Sequence, residues 1–270
     1  FGYYDYNEEA GFIIYLVTCI IICFSLPLTI MAIYDLYSLM KNGQVAPIYV
    51  INLLISDLIQ LCCMIVELAQ PEEWKITEAF VYIYIYCLVA SVLFMMCIAL
   101  ERYLVIACPL WYRYRRTLKI SVLVCVAVWV LPIFYFLPFF FWVNYKGKRA
   151  IFAILLLLPL PLFIFFLGGT LRALSTSISV HSDEKRRIVG MLLLVLLIYT
   201  VLFLPSIIWS LVPGARYKKI LTNLCLMFLR LSPLADLVLY VFMRKRTTDK
   251  ILASVCCCTV DSKDVSSITV

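Results

Sequence analysis

Seven stretches of almost unbroken apolar residues divide this chain, at about 11–36, 47–70, 77–105, 119–142, 150–176, 187–212 and 217–243. Each exceeds the roughly 20 residues that a helix needs to cross the hydrocarbon core of a bilayer. Polar clusters separate them: "KNGQ" at 41–44, "PEEW" at 71–74, "NYKGKR" at 144–149, "HSDEKRR" at 181–187 and "VPGAR" at 212–216. Barrel-type alternation is absent, and in lipid only a helix or a closed barrel satisfies its own backbone. The pattern predicts an all-α membrane protein, a bundle of seven transmembrane helices. No convincing internal repeat suggests a transporter with two related halves.

Composition sharpens this. The chain is 65% hydrophobic and 14% charged, against roughly 45–50% and 25% in soluble domains, and no polar segment is long enough for a separate soluble unit. With the N-terminus outside, the inner segments hold about twice as many Lys and Arg as the outer ones, which is the expected bias. The resulting division is an extracellular tail over 1–10, a transmembrane domain over 11–243 and a cytoplasmic tail over 244–270. The opening "FGYYDYNEEAGF" lacks the basic start of a signal peptide, and the missing initiator Met fits a trimmed N-terminus. Most of the 12 cysteines fall inside the apolar stretches, where a thiol acts as a small hydrophobe, so a disulfide scaffold is not expected. His181 is the one histidine, which removes histidine-based metal sites and any histidine pH sensor on the outer face.

Several marks then occur in order. The second stretch contains "NLLISDL" with Asp57, the third ends "ERY" at 101–103, and Pro109 and Leu110 follow. Trp129 lies in the fourth, "FLP" with Pro205 in the sixth, and "ADLVLYVF" with Asp236 and Tyr240 closes the seventh. Over nearly the whole chain this resembles the rhodopsin-like (class A) G-protein-coupled receptors. Phe203 and Asp236 are similar to the branch holding purinergic-type, lysolipid, proton-sensing and protease-activated receptors. "CPLWYRYRR" and the missing outer cysteine pair resemble Mas-related receptors. Leu237, Thr29 and Thr77 depart from the family's seventh-span proline, first-span asparagine and third-span cysteine.

The resemblance implies a ligand-activated receptor, not an enzyme, that drives nucleotide exchange on a heterotrimeric G protein and meets arrestin-type regulators at the plasma membrane. A peptide receptor of Mas-related type is one alternative. Another is a transporter or channel, with Asp57, Glu67, Arg230 and Asp236 as its polar path. Nucleic acid is not an expected partner. Glu101, Arg102, Tyr103, Pro109, Leu110 and Tyr240 are the implied G-protein coupling set. In it Arg102 either pairs with Glu101 at rest and meets the G protein on activation, or simply snorkels to the interface. Lys185 stands near the place of the usual second acid, so a weak inner lock and raised basal signalling are expected.

Asp57, Ser91, Ser232 and Asp236 are the implied mid-membrane polar pocket. An acid at the bilayer centre costs roughly 2.5–3.5 kcal/mol on insertion scales. Two carboxylates in one site are comfortable only with a cation between them or with one protonated. Sodium held by Asp57, Ser91 and Asp236 is one reading, and a hydrated, partly protonated pocket is the other; no other cofactor is expected. Glu67, Tyr84, Phe203 and Arg230 are the implied ligand contacts, with Glu67 facing Arg230. That pair is either structural, or Arg230 also offers its forked donors to a ligand anion. Lys146, Lys148, Arg149, Arg216, Lys218 and Lys219 on the outer loops would draw an anion in, such as a lysophospholipid or a small organic acid.

The two tails add modification and docking signals. "MRKRTTDKIL" reads as an amphipathic eighth helix on the lipids of the inner leaflet. Cys256, Cys257 and Cys258 after it suit palmitoylation, and Ile268 and Val270 are spaced for a PDZ groove. Tyr3, Tyr4 and Tyr6 among acids are either sulfation sites or part of a disordered acidic tail.

Overall fold

The computed structural model describes residues 8–41, 48–69, 74–108, 118–141, 145–176, 182–212 and 219–243. Among the described residues the chain is helical apart from single turn positions. The helices are α1 (Glu8–Lys41), α2 (Ile48–Leu68), α3 (Trp74–Ala107), α4 (Leu118–Phe141), α5 (Tyr145–Leu157), α6 (Pro159–Thr176), α7 (Ser182–Leu211), α8 (Lys219–Arg230) and α9 (Ser232–Met243). They realise the seven apolar stretches, with the fifth and seventh each made of two helices in series. Among the described residues six segments are long and apolar enough to cross a membrane, and Lys119–Phe134 within α4 is a shorter apolar piece.

The distribution of apolar residues is that of a protein solvated by lipid. Phe12, Met31, Tyr34, Phe134 and Leu197 are all exposed on the outside of the bundle, where hydrocarbon rather than water is the solvent. The core lies along α2, α3 and α7, where Leu53, Leu54, Phe94, Met95, Ile98, Tyr199 and Phe203 are almost wholly buried. Helix α3 is central and packs against α2, α4, α6 and α7. Helices α8 and α9 close the ring, α8 on α7 and α1, α9 on α2, α1 and α7. Polar groups stitch α2, α3 and α4 together. Trp129 Nε1 donates to Asn52 Oδ1 at 3.0 Å, and the Tyr86 hydroxyl donates to the Trp129 carbonyl. In lipid such bonds join helices that apolar packing alone would not hold.

Both interrupted spans break at prolines. Leu158 separates α5 from Pro159, the first residue of α6, and Leu231 separates α8 from α9, whose second residue is Pro233. A proline has no N–H for the carbonyl four residues earlier, and its ring crowds that carbonyl. Side chains from neighbouring helices supply donors near both breaks. The Tyr199 hydroxyl donates to the Leu156 carbonyl, and the Tyr84 hydroxyl donates to the Leu229 carbonyl at 2.8 Å. Pro27 and Pro205, by contrast, lie inside continuous helices.

Candidate functional site

The C-terminal end of α3 carries the first group of residues. Glu101 is buried at 8% exposure. Arg102 is half-buried, and its Nε has no hydrogen-bond partner among the described residues, so at that nitrogen the expected pairing with Glu101 is not made. Tyr103 points to α6, stacked on Phe166 at 5.8 Å between ring centres and tilted against Phe165 at 5.9 Å. Gly169 makes room for it: a Cβ there would lie 2.6 Å from Tyr103 Cε2, whereas one at Gly168 would meet nothing within 4 Å. The Tyr240 hydroxyl donates to Asp35 Oδ2 at 3.2 Å, joining α9 to α1. Arg187 Nη2 donates to the Met243 carbonyl at 2.7 Å, which ties the N-terminal end of α7 to the last described turn of α9. Pro109, Leu110 and Cys256 to Cys258 lie outside the described residues, as does the side chain of Lys185.

Mid-membrane, Asp57, Ser91, Ser232 and Asp236 are all fully buried. The Asp57 and Asp236 carboxyl groups are close neighbours in this pocket. Gln60 Nε2 donates to Asp57 Oδ1 at 3.2 Å, and Ser91 Oγ donates to the Leu88 carbonyl at 2.8 Å. Among the described residues Asp57 Oδ2, both Asp236 oxygens and Ser232 Oγ find no other partner. Two ionised carboxylates cannot hydrogen-bond each other, so the space between them calls for a cation or a proton. Carboxylate and hydroxyl oxygens are hard donors, the kind that suits Na⁺. Gln60 belongs to this pocket although its sequence context, inside an apolar run, gives no signal beyond its polarity.

Arg230 ends α8 with only 12% of its side chain exposed. Its Nη2 meets Glu67 Oε1 on α2 at 2.5 Å, and its Nη1 meets Thr18 Oγ1 on α1 at 2.6 Å. Thr18 in turn donates to the Ile14 carbonyl at 2.6 Å. The guanidinium is thus held by two helices, while the Glu67 side chain stays 41% exposed. Thr18 is not readable as a partner from the sequence, because a threonine in a membrane helix usually bonds its own backbone. Tyr84 lies beside this pair, on the face of α3 opposite Tyr82 and Tyr86, which bond Glu78 and Trp129. Of the implied ligand contacts the fold brings together Glu67, Tyr84 and Arg230. Phe203 lies in the core, wholly buried and 4.8 Å from the Tyr199 ring. A separate cavity of about 300 Å³ opens on the lipid-facing side between α3, α4 and the fifth span, and none of these four residues lines it.

Every described cysteine is a free thiol. Among the described residues no cluster of three His, Cys, Asp or Glu side chains suits a metal ion.

The family "7 transmembrane receptor (rhodopsin family)" matches residues 30–150. G-protein coupled receptor 68 of Mus musculus is 27% identical over 86% of this chain and 73% of its own length. A purinoceptor of Gallus gallus is 32% identical over 50% of this chain and 43% of its own. Proteinase-activated receptor 2 of Rattus norvegicus is 25% identical over 91% and 71%. All three relatives are receptors, and they meet here a helical bundle whose ordered motifs occupy the expected helices. The chain is similar to the rhodopsin-like, class A G-protein-coupled receptors, and it is a multi-pass protein of the plasma membrane.

Proposed function

We propose that this receptor is switched by an anionic, partly apolar extracellular ligand and then drives nucleotide exchange on a heterotrimeric G protein. The observation behind the ligand class is Arg230, a guanidinium inside the bundle whose carboxylate partner, Glu67, is the more exposed member of the pair. Glu67 marks where an anion sits, and a ligand carboxylate or phosphate takes that place by displacing it. The forked donors of arginine favour such groups. Lys146, Lys148, Arg149, Arg216, Lys218 and Lys219 of the outer loops add a positive approach.

This reading takes the N-terminus as outside and 244–270 as a cytoplasmic tail. In that tail a basic helix rests on membrane lipids, Cys256 to Cys258 are palmitoylated, and the last residues meet a PDZ protein. Arg102 and Tyr103, with Pro109, Leu110 and Tyr240, meet the G protein and arrestin-type regulators. Sodium between Asp57, Ser91 and Asp236 acts as an allosteric ion. The test is a screen of lysophospholipids and small organic acids with a G-protein dissociation readout, repeated on Arg230→Ala. An anionic agonist should lose at least about tenfold in potency, the scale of one charge-assisted contact. Unchanged potency on Arg230→Ala rejects the anion site. Arg102→Ala should abolish exchange while sparing surface expression, and flux without exchange would favour a transporter.

A further inference from the structure

We propose that Tyr84 is the surrogate hydrogen-bond donor of the seventh span: its hydroxyl serves the Leu229 carbonyl that Pro233 cannot, and this bond fixes α8 against α3. In an α-helix each N–H closes on the carbonyl four residues back, so the residue at 233 should serve Leu229. Proline has no N–H to give. In lipid a carbonyl without a donor is expensive, because no water reaches it. The Tyr84 hydroxyl meets that same oxygen at 2.8 Å.

The surrounding chain shows the break being managed. The Leu231 N–H is shared between the Met227 carbonyl at 3.1 Å and the Phe228 carbonyl at 3.2 Å, so the last turn of α8 tightens. The helical pattern resumes as the Ala235 N–H closes on the Leu231 carbonyl at 3.0 Å. Helix α8 packs along α7 and α1, so Tyr84 reaches it from α3, a helix that does not run against it. The ring of Tyr84 is seated on the satellite core of Ile21, Leu61 and Met64, with Leu231 beside it. The adjacent residue, Arg230, is held by Glu67 of α2 and Thr18 of α1. Positions 229 and 230 are therefore anchored to α1, α2 and α3 at once, directly above the break and the Asp236 pocket. Phenylalanine would fill the same seat and lack the donor, so the hydroxyl is needed because residue 233 is a proline.

Tyr84 is thus a positioning residue for receptor switching, acting through the seventh-span backbone. This role predicts non-additivity that no packing role for the ring reproduces. The full chain, in lipid nanodiscs, is compared as wild type, Tyr84→Phe, Pro233→Ala and the double variant, by thermal melting and by agonist-free nucleotide exchange on a Gα subunit. Tyr84→Phe should lower the melting temperature by about 5 °C and raise agonist-free exchange about fivefold, because an unserved Leu229 carbonyl lets the break open. In the Pro233→Ala background the residue 233 N–H closes on Leu229, and the same change should move both readouts by less than half as much. Equal effects in both backgrounds overturn the proposal. If Tyr84→Phe alone does not reach the surface, Pro233→Ala or Pro233→Ser should restore it, and failure of both to do so also overturns it. None of these readouts uses a ligand, so they stand apart from the anion reading at Arg230.

Discussion

The two halves of the seventh span treat buried polar groups in opposite ways. In α8 the Arg230 guanidinium has a carboxylate at 2.5 Å and a hydroxyl at 2.6 Å, and the neighbouring Leu229 carbonyl has a hydroxyl at 2.8 Å. In α9, one turn below, Ser232 Oγ and both Asp236 oxygens are buried without a donor among the described residues. A saturated network in low dielectric holds its helices in one arrangement. An unsaturated one is costly as it stands and is therefore receptive to a proton, an ion or a rearrangement. The α8 half is built to hold, and the α9 half to respond. Leu231, with Pro233 just beyond it, is the seam between them.

The largest effect that tests this contrast is at Glu67. Glu67→Ala leaves the Arg230 cation inside the bundle with only Thr18 for company. Breaking a buried pair from one side costs about 3–5 kcal/mol; the 41% exposure of Glu67 lowers the expectation to about 2 kcal/mol. Melting of the purified receptor should fall accordingly. The double variant Glu67→Leu, Arg230→Met should recover most of the loss, because two matched apolar residues need no partners. If Glu67→Ala leaves melting unchanged, α8 is not held by this pair and the contrast fails.

How much of this is legible in the sequence depends on range along the chain. The apolar pattern places seven spans within a few residues of the observed helices, because burial in lipid is written locally, residue by residue. It does not place the two breaks, although Pro159 and Pro233 stand in plain view. A proline inside an apolar run is equally compatible with a continuous helix, as Pro27 and Pro205 show, and only the neighbouring donor decides. Glu67 and Arg230 are matched through the family pattern, whereas nothing in the sequence singles out Thr18, Gln60 or Arg187 as partners. The partner of Thr18 lies on a helix far away along the chain, 212 residues on at Arg230. Phe203 likewise needs three dimensions: its place in the sequence suits a pocket wall, while its ring lies in the core against Tyr199.

The second effect concerns the receptive half. If Na⁺ sits between Asp57 and Asp236, raising it from zero to a concentration far above its Kd should stabilise the receptor by about 2–3 kcal/mol. The rise in melting temperature should exceed that given by choline chloride at equal ionic strength, which controls for screening. Asp236→Asn should abolish the sodium-specific part, and it should leave the sodium-free protein no less stable, because one member of a like-charged pair has become a neutral donor to Asp57. This is the opposite sign from Glu67→Ala, which makes the pair of variants the sharpest form of the contrast. Equal melting in sodium and choline would assign the site to a shared proton instead.

The smallest effect asks whether the α9 half has a tie of its own. Arg187 on α7 donates to the Met243 carbonyl at 2.7 Å, in the last described turn of α9. Arg187→Gln, which can still donate but carries no charge, should cost about 0.5 kcal/mol in melting. It should raise agonist-free exchange by about twofold, since α7 is then less firmly held to α9. Lysine at 187 should keep most of the wild-type behaviour, being charged though not forked. The ordering matters more than the size. A loss at Arg187 larger than that at Glu67 would mean that α9, not α8, is the anchored half of the seventh span. The break at Leu231 would then release α8 rather than α9.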